Sequence, residues 1–435
     1  MAENTSNKEL YISRFKDFEK SLNGESQSSF HALRKNAITR FEELGFPTAK
    51  NEEWKYTSIS PILKHDFVHA SEVTVTDSEI TSHLIEGLDE NKIVIVNGAY
   101  RQDLSKLLPQ AAGVVVDSLA NIIKTQPAFF TEHFSKYAKV DSAFVALNTA
   151  FAQDGVVIYI PDGKIIEDPI HILNITGEAG KNILAQPRNL IVMGRDTQVR
   201  LVESYHSRGT EANFSNVVTE VINGEGSYVE LYKIQDENHD SFHVNLTQVE
   251  QQKGSNFTTY TVSLGGAITR NDLNAVLNAE NVQANLYGLY IIEGTQHVDN
   301  HSLIDHAKPN CESRELYKGV LGGKSRGVFN GKVFVRKDAQ KTNAYQSNKA
   351  MLLSKEAMID TKPQLEIYAD DVKCSHGAAI GQLDEESVFY LRSRGIGEEQ
   401  AKAVLIRAFA NDVFEEIKLE LLHTYLNKLV LDKLK

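Results

Sequence analysis

The sequence predicts a mainly β protein whose core is a β-helix with a helical domain at each end. Three observations carry this prediction. Helical periodicity fills the first 60 residues, strand-like runs follow one another from Asp154 to about Ile380, and helical periodicity returns after Gly381. A strand-rich region of more than about 200 residues must form a large sandwich, a barrel or a solenoid.

The N-terminal domain, residues 1–153, is predicted to be mostly helical with a small strand element. Apolar residues recur at i, i+4, i+7 and i+11 from Tyr11 to Leu22, which is one face of a helix. A second such stripe runs from Phe30 to Leu44, and Gly45 is placed to end it. The single tryptophan, Trp54, lies in the segment NEEWKYTSI, where we expect it to anchor the helices on the part of the chain after it.

The core, residues 154–380, is rich in Val, Ile, Tyr and Thr, and many of its runs alternate apolar with polar residues. The first helix-like stretch of ten residues within it is Asn348–Met358. Strands arrive every ~10–18 residues, mostly without hairpin-type Asn-Gly pairs between them, a spacing that favours stacked coils. Propensity and spacing therefore favour a β-helix among the three architectures.

The C-terminal domain, residues 381–435, is predicted to be helical. Asp384 or Ser387 can cap a helix that Gly395 ends. Further along, leucines recur at three-four spacing and form a coiled-coil-like seam at Leu419, Leu422, Leu426 and Leu429. Such a seam either folds back on the core or docks a partner helix in a groove.

Composition excludes several classes of protein. The formal net charge of −12 opposes general nucleic-acid binding. Two cysteines, Cys311 and Cys374, cannot form a disulfide framework, and their scarcity suits a reducing compartment. The N-terminal residues MAENTSNKEL are polar, and no run of about 18 apolar residues occurs. We therefore expect a cytoplasmic protein.

The stretch from Gln364 to Gly381, QLEIYADDVKCSHGAAIG, holds the first candidate site. It places His376 two residues after Cys374, where the strand-rich core gives way to the helical tail. A thiolate and an imidazole are suitable ligands for iron, zinc or copper. The alternative is a buried cysteine that acts as a small apolar residue beside a turn histidine.

A second candidate lies in the segment QHVDNHSLIDH. On a strand, His297, Asp299 and His301 share one face because side chains alternate with a period of two, and such a face could ligate a metal. The alternative is a ladder of hydrogen-bonding side chains. We expect His239 and His243, in the polar segment ENHDSFH, to be solvated.

Other chemistry finds little support in the sequence. A GxxxxGK[ST] loop is absent, so ATP binding through that loop is not expected. The segment GKSRG at Gly323–Gly327 fits the GxSxG spacing, but a strand-like run and not a helix follows it, so a nucleophile elbow is not expected there. The glycine-rich basic segment Leu321–Thr342 could hold a phosphate, but its charges alternate as on a solvated strand face. We interpret it as such a face.

Two long segments, SRGVFNGKVFVRKDAQKTNAYQSNKAMLLS and KPQLEIYADDVKCSHGAAIGQLDEESVFYLRSRGI, resemble the SufB/SufD family of iron–sulfur cluster assembly scaffolds. The segments NEEWKYTSI, QHVDNHSLIDH and SRELYKG fit the same family. The chain differs from the SufB branch, which carries a cysteine in the segment equivalent to Ala344–Leu352 and Glu-His-Glu in place of Cys374-Ser375-His376. It also lacks the N-terminal cysteine motif common in that branch, so it resembles the other branch.

The resemblance implies a right-handed parallel β-helix between the helical domains. It implies a SufB-like partner at the end of the β-helix and a SufC-like ABC ATPase docked on the C-terminal helices. The chain would be a non-catalytic scaffold, with ATP hydrolysis left to the partner. An exposed β-helix edge also favours self-pairing of the isolated chain, because unpaired strand edges seek partners.

The resemblance further implies that a transient iron–sulfur cluster forms where the two scaffolds meet, with none bound stably by the isolated chain. The residue matching His376 contributes there, and the residue matching Cys374 lies beside it, as a ligand, an interface thiol or packing. Two alternatives remain. The first is a β-helix carbohydrate-active enzyme, which would need grouped carboxylates. The second is an independent metal-binding protein that uses His297, Asp299 and His301.

Overall fold

The computed structural model describes residues 2–22, 29–69 and 73–434. Short helices and strands form the N-terminal region. Its helices are α1 Ala2–Ser21, α2 Ser29–Leu44, a 3₁₀ turn Glu52–Trp54, α3 Ser60–Leu63, α4 Asp77–Thr81, α5 Leu119–Thr125, α6 Pro127–His133 and α7 Ala143–Phe151. Its strands are β1 Val68–His69, β2 Lys92–Val96, β3 Ala99–Tyr100 and β4 Val115–Ser118.

The core is a β-solenoid of about eight turns, which confirms the predicted β-helix. Its first strands are β5 Val156–Ile160, β6 Ile170–Thr176, β7 Ile183–Ala185, β8 Arg188–Met193, β9 Gln198–Ser207, β10 Phe214–Asn223, β11 Tyr228–Asp236, β12 Phe242–Gln251 and β13 Asn256–Ser263. The later strands are β14 Ile268–Leu277, β15 Gln283–Ile292, β16 His297–His306, β17 Glu312–Leu321, β18 Arg326–Val335, β19 Asn343–Leu352, β20 Met358–Thr361, β21 Gln364–Ile367 and β22 Lys373–Gln382.

From β8 to β20, successive strands of the solenoid alternate between two sheets, and the solenoid strands within each sheet are parallel. Sheet one runs β4-β5-β8-β10-β12-β14-β16-β18-β20, and sheet two runs β3-β2-β6-β9-β11-β13-β15-β17-β19-β22. Each coil therefore adds one strand to each sheet. Apolar side chains from both inner faces, such as Ile158, Leu231 and Phe257, form the interior of the first coils.

Most N-terminal helices pack on the outer face of sheet one, whereas α4 packs on β2 and β6 of sheet two. Phe15 of α1 packs edge-on against Phe151 of α7, with ring centroids 5.7 Å apart. Gly45 adopts a φ of +61° and its N–H bonds to the carbonyl of Phe41, which ends α2 as the sequence predicts. Trp54 is 9% exposed and packs on the solenoid, so its anchoring role is confirmed.

The C-terminal helices are α8 Glu385–Ser393, α9 Glu398–Phe414 and α10 Glu420–Lys433. Asp384 caps α8 through the backbone N–H groups of Glu386 and Ser387. Leu422 and Leu426 of the leucine seam are buried against the outer face of sheet two. The leucine seam therefore folds back on the core and does not form a free surface for a partner helix. No described helix combines the length and the apolar character needed to cross a membrane.

Two local predictions are wrong. The helix-like stretch Asn348–Met358 begins on strand β19, because pairing with β17 and β22 buries Asn348 and Ala350 and overrides the helical propensity of the intervening residues. His243 is not solvated: it lies buried on β12 with its Nδ1 2.8 Å from the carboxylate of Glu237.

Candidate functional site

The solenoid has an open end at its last coil. Strand β22 pairs with β19, and among the described strands no other neighbour covers it. On sheet one, β20 and β21 likewise pair with β18 alone. Three strands thus present an uncovered face and edge, which is a ready template for another chain.

Cys374 and His376 both lie on β22, on the face of the strand that is directed toward the interior of the solenoid. In register, Cys374 sits over Ala344 and His376 sits over Gln346. Ala344 and Gln346 are buried, whereas Tyr345 between them is 48% exposed, so the first two point inward. Residues in register on parallel strands share a face, and the same is true two positions apart. The structure therefore places the two predicted residues on one face, at the open end.

The two side chains differ in environment. Cys374 is half-buried and packs against the apolar group that contains Val335 and Ala344. Burial raises the pKa of its thiol, so the group is a neutral thiol near pH 7. His376 is exposed, and the described residues offer its ring no hydrogen bond. The imidazole is thus the more available ligand of the pair.

A polar column that the sequence analysis missed lies beneath His376. Glu315 on β17, Gln346 on β19 and His376 on β22 are in register. Gln346 donates from Nε2 to Oε2 of Glu315 at 2.5 Å. Glu315 is almost fully buried, and this burial raises the pKa of its carboxyl to about 7. The only sequence signal for this column is the coil-to-coil register, which needs the strand boundaries to be known.

The rim of the open end carries exposed apolar side chains. Met358 of β20, Ile380 of β22 and Tyr368, which follows β21, are each more than half exposed, at 55%, 51% and 61% respectively. Ile367 at the end of β21 is 38% exposed. Clustered exposed apolar groups around an unpaired edge mark a protein interface.

A second exposed apolar surface lies on the C-terminal helices. Phe389 and Tyr390 of α8 are 73% and 58% exposed, although α9 and α10 bury their own apolar faces on sheet two. Beside them a cleft of about 440 Å³ opens between α8, α9 and the end of β19, lined in part by Leu353, Leu383 and Val388. We call the surface formed by Phe389, Tyr390 and this cleft the α8 surface.

The second candidate site, His297–Asp299–His301, points outward from sheet one and contacts the N-terminal region. Thr57 bonds to both His297 and Asp299, which confirms that these residues share a face. Arg270 Nη1 lies 2.8 Å from Asp299, and His301 Nε2 lies 2.9 Å from the other oxygen of that carboxylate. Asp299 is thus engaged by a guanidinium and an imidazole.

These contacts determine the protonation state of His301. Burial by itself lowers the pKa of His301, but the charge of Asp299 and hydrogen bonds to Asp299 and Glu53 outweigh it and raise that pKa to about 9. The ring is therefore a cation near pH 7 and repels a metal ion. In the part of the chain that the structure describes, no group of three or more His, Cys, Asp or Glu side chains is arranged to hold a metal.

Fold and site together define a class of protein: a β-solenoid scaffold with an exposed histidine at its open end and helical domains on both sheets. Two family models match, the SufBD protein N-terminal region over residues 5–172 and the SUF system FeS cluster assembly SufBD core domain over residues 175–409. The chain belongs to the SufBD family, as the sequence motifs indicated.

Curated relatives cover most of the chain. An iron–sulfur cluster assembly SufBD family protein of Synechocystis sp. is 33% identical over 94% of this chain and 92% of its own length. The iron–sulfur cluster assembly protein SufD of Escherichia coli is 31% identical over 86% of each chain. The chloroplastic protein ABCI7 of Arabidopsis thaliana is 29% identical over 92% of this chain and 85% of its own length. The chain is thus a SufD-like member of the family.

Proposed function

We propose that this chain is a non-catalytic scaffold subunit of a SUF-type complex, that it pairs with a SufB-like scaffold through the open end, and that it binds a SufC-like ABC ATPase through the α8 surface. A nascent iron–sulfur cluster, which is the cargo of the complex, forms where the two scaffolds meet. The uncovered last coil carries the proposal, because it combines unpaired strands, exposed apolar side chains and an available imidazole.

A sister scaffold of the same fold fits the open end well. Pairing β22 with a second solenoid's last strand would continue sheet two across the two chains and satisfy its free backbone groups. Ile380 and Tyr368 would be covered at the same time. The same features permit a homodimer of the isolated chain when no sister scaffold is present.

His376 is the proposed cluster ligand from this chain. Iron–sulfur clusters take thiolate and imidazole ligands, and His376 is exposed at the end where the partner would dock. Cys374 is half-buried with a raised thiol pKa, so we assign it first to packing at the interface. A site with few ligands, split between two chains, can release its cluster when the chains move apart.

The α8 surface is the proposed ATPase docking site. Exposed Phe389 and Tyr390 are the kind of aromatic anchors that dominate interfaces. The helices behind them are fixed to sheet two: Lys318 of β17 donates to the backbone carbonyl of Phe409 in α9 at 2.6 Å. Movement of a docked ATPase would therefore act on the same sheet that ends in β22.

The scaffold role is favoured over the two alternatives. Membership of the SufBD family does not suggest a carbohydrate-active enzyme. An independent metal site at Asp299 would have to displace the guanidinium of Arg270. We propose a cytoplasmic location, in keeping with two free cysteines.

Co-expression tests this proposal. The tagged chain is produced with the SufB-like and SufC-like proteins of the same source, and the mass of the purified complex is measured under anaerobic conditions. We expect one scaffold of each kind with two ATPases. Ile380→Asp should release the sister scaffold and retain the ATPase, whereas Ile165→Asp, an exposed site remote from the open end, should release neither. A chain that binds neither partner would overturn the proposal.

A further inference from the structure

The polar column beneath His376 contains an unsatisfied acceptor. Oε1 of Gln346 is buried and has no hydrogen-bond partner among the described residues. The other end of the same amide, Nε2, already donates a hydrogen bond to Glu315. A buried carbonyl oxygen without a donor is costly, so such groups normally gain one.

The orientation of the Gln346 amide is fixed from two directions. The carboxylate of Glu315, one strand below, accepts a bond and so draws the NH₂ end of the amide toward itself. Gly331 faces the amide from sheet one, and a Cβ at that position would overlap Gln346 Nε2. The amide is thus held over a glycine, with its oxygen left for another donor.

The nearest donor by register is the imidazole of His376. It lies directly above Gln346 on the same inward face of sheet two. A neutral imidazole has one N–H donor and one unprotonated nitrogen. Histidines that ligate metals almost always donate the second ring N–H to a carbonyl or carboxylate, which fixes the ring and its tautomer.

We propose that Gln346 is the positioning residue of His376: its side-chain oxygen accepts the imidazole N–H, which leaves the other ring nitrogen unprotonated and turned toward the open end. Glu315 acts one step further back, because it fixes which end of the Gln346 amide faces the imidazole. The inference rests on the proposed function in so far as that nitrogen serves a cluster. The structure shows the ring of His376 without this bond, so the exposed imidazole must turn toward Gln346 to form it, and neither iron nor a partner chain is needed.

Histidine-labelled nuclear magnetic resonance on the full chain, without iron, tests the proposal. The His376 signals are identified by their loss in His376→Gln. We expect a ring N–H proton protected from exchange with water, and one dominant tautomer. Gln346→Met keeps the size of the side chain and removes the acceptor, so the protected proton should disappear and its exchange should quicken at least about tenfold, which corresponds to one ordinary hydrogen bond.

A matched control lies two residues along the same strand. Asn348 is equally buried, but its register partner is Ala378, so Asn348→Met should leave the His376 signals unchanged. If Gln346→Met disturbs the fold, Glu315 supplies the second test. Glu315→Gln keeps an acceptor for Gln346 Nε2 and should preserve the protected proton, whereas Glu315→Met should abolish it.

The proposal is overturned if the His376 proton exchanges equally fast in the unaltered chain and in Gln346→Met, or if Asn348→Met has the same effect. Because iron plays no part in this measurement, a negative result leaves the cluster role of His376 standing. Conversely, a positive result would survive if the assembled complex were shown to use another ligand.

Discussion

The guanidinium carbon of Arg270 lies 3.9 Å from the centre of the Trp54 ring, and this contact joins the N-terminal region to the solenoid. Arg270 Nη1 also bonds to the backbone carbonyl of Glu53 at 2.7 Å. One buried side chain of sheet one thus holds the segment Glu52–Trp54 by both stacking and hydrogen bonding.

Removing this guanidinium should be strongly destabilising. Arg270→Met leaves Asp299 buried beside fewer cations, and we expect a loss of about 3–5 kcal/mol of unfolding free energy, measured with denaturant. Arg326→Met is the control, because its pair with Asp360 on the same sheet is partly exposed and should cost less than about 1 kcal/mol. Equal losses in both variants would contradict the anchoring role.

The same cluster predicts a pH dependence on the alkaline side. The pKa of His301 is raised to about 9 in the folded chain, above its ordinary value of 6.5. The stabilisation is therefore fully present below 6.5 and is lost as pH rises through 9. Its size should be on the order of 3 kcal/mol, at about 1.4 kcal/mol per pKa unit. Unfolding free energy measured from pH 6.5 to 9.5 should fall, and His301→Gln should flatten that fall.

His306→Gln is the control for this titration. Burial lowers the pKa of His306 to about 4, so this residue remains neutral throughout the alkaline range. The slope above pH 6.5 should survive in that variant. A slope that persists unchanged in His301→Gln would show that another group is responsible.

Glu315 predicts a second pH dependence of stability, which originates in burial and not in a neighbouring charge. Burial raises the pKa of its carboxyl from 4.5 to about 7, so the folded chain holds this proton more tightly than the unfolded chain. Stability attributable to Glu315 therefore falls as pH rises from 4.5 to 7 and stays low above 7. Glu315→Gln should be more stable than the unaltered chain at pH 8, by on the order of 3 kcal/mol. Thermal unfolding at pH 5 and pH 8 measures this difference.

Glu312 provides the matched control, because it lies on the same strand with an exposed side chain. Glu312→Gln should leave the difference between pH 5 and pH 8 as it is. Should Glu315→Gln prove less stable than the unaltered chain at pH 8, the carboxyl would not be a buried group titrating near neutrality.

The α8 surface predicts a loss of docking without a loss of folding. Phe389→Ala combined with Tyr390→Ala should weaken binding of the SufC-like ATPase at least about tenfold, measured by titration calorimetry, because exposed aromatic anchors carry interface energy. Unfolding free energy should change by less than about 1 kcal/mol. Val404→Ala on α9, 49% exposed, should alter neither quantity. Unchanged ATPase affinity in the double variant would exclude α8 as the docking site.

Much of the fold could be predicted because its signals are local. Stripes of apolar residues identified the terminal helices, and Gly45 and Asp384 marked helix ends through backbone preferences that act over a few residues. The strand Asn343–Leu352 was missed in part because its lysine, alanine and leucine residues favour helices, and only pairing with two neighbouring strands overrides that preference.

The site was predictable only in part, for a related reason. The sequence singled out Cys374 and His376 as a pair two residues apart, but the strand that carries both on one face, β22, is seen only in the structure. Neither Gln346 nor Glu315 could be associated with them, because that requires the register of three coils. His243 was misjudged because its carboxylate partner, Glu237, lies across a turn and becomes buried with it.

The iron and sulfide content of the anaerobically assembled complex tests the central claim most directly. His376→Ala should leave the subunit composition unchanged and reduce the cluster content several-fold, because the imidazole at the open end is lost. Ser375→Ala, the neighbour on the opposite face of β22, should retain the full content. An unchanged cluster content in His376→Ala would contradict a cluster formed at the open end with this chain's histidine.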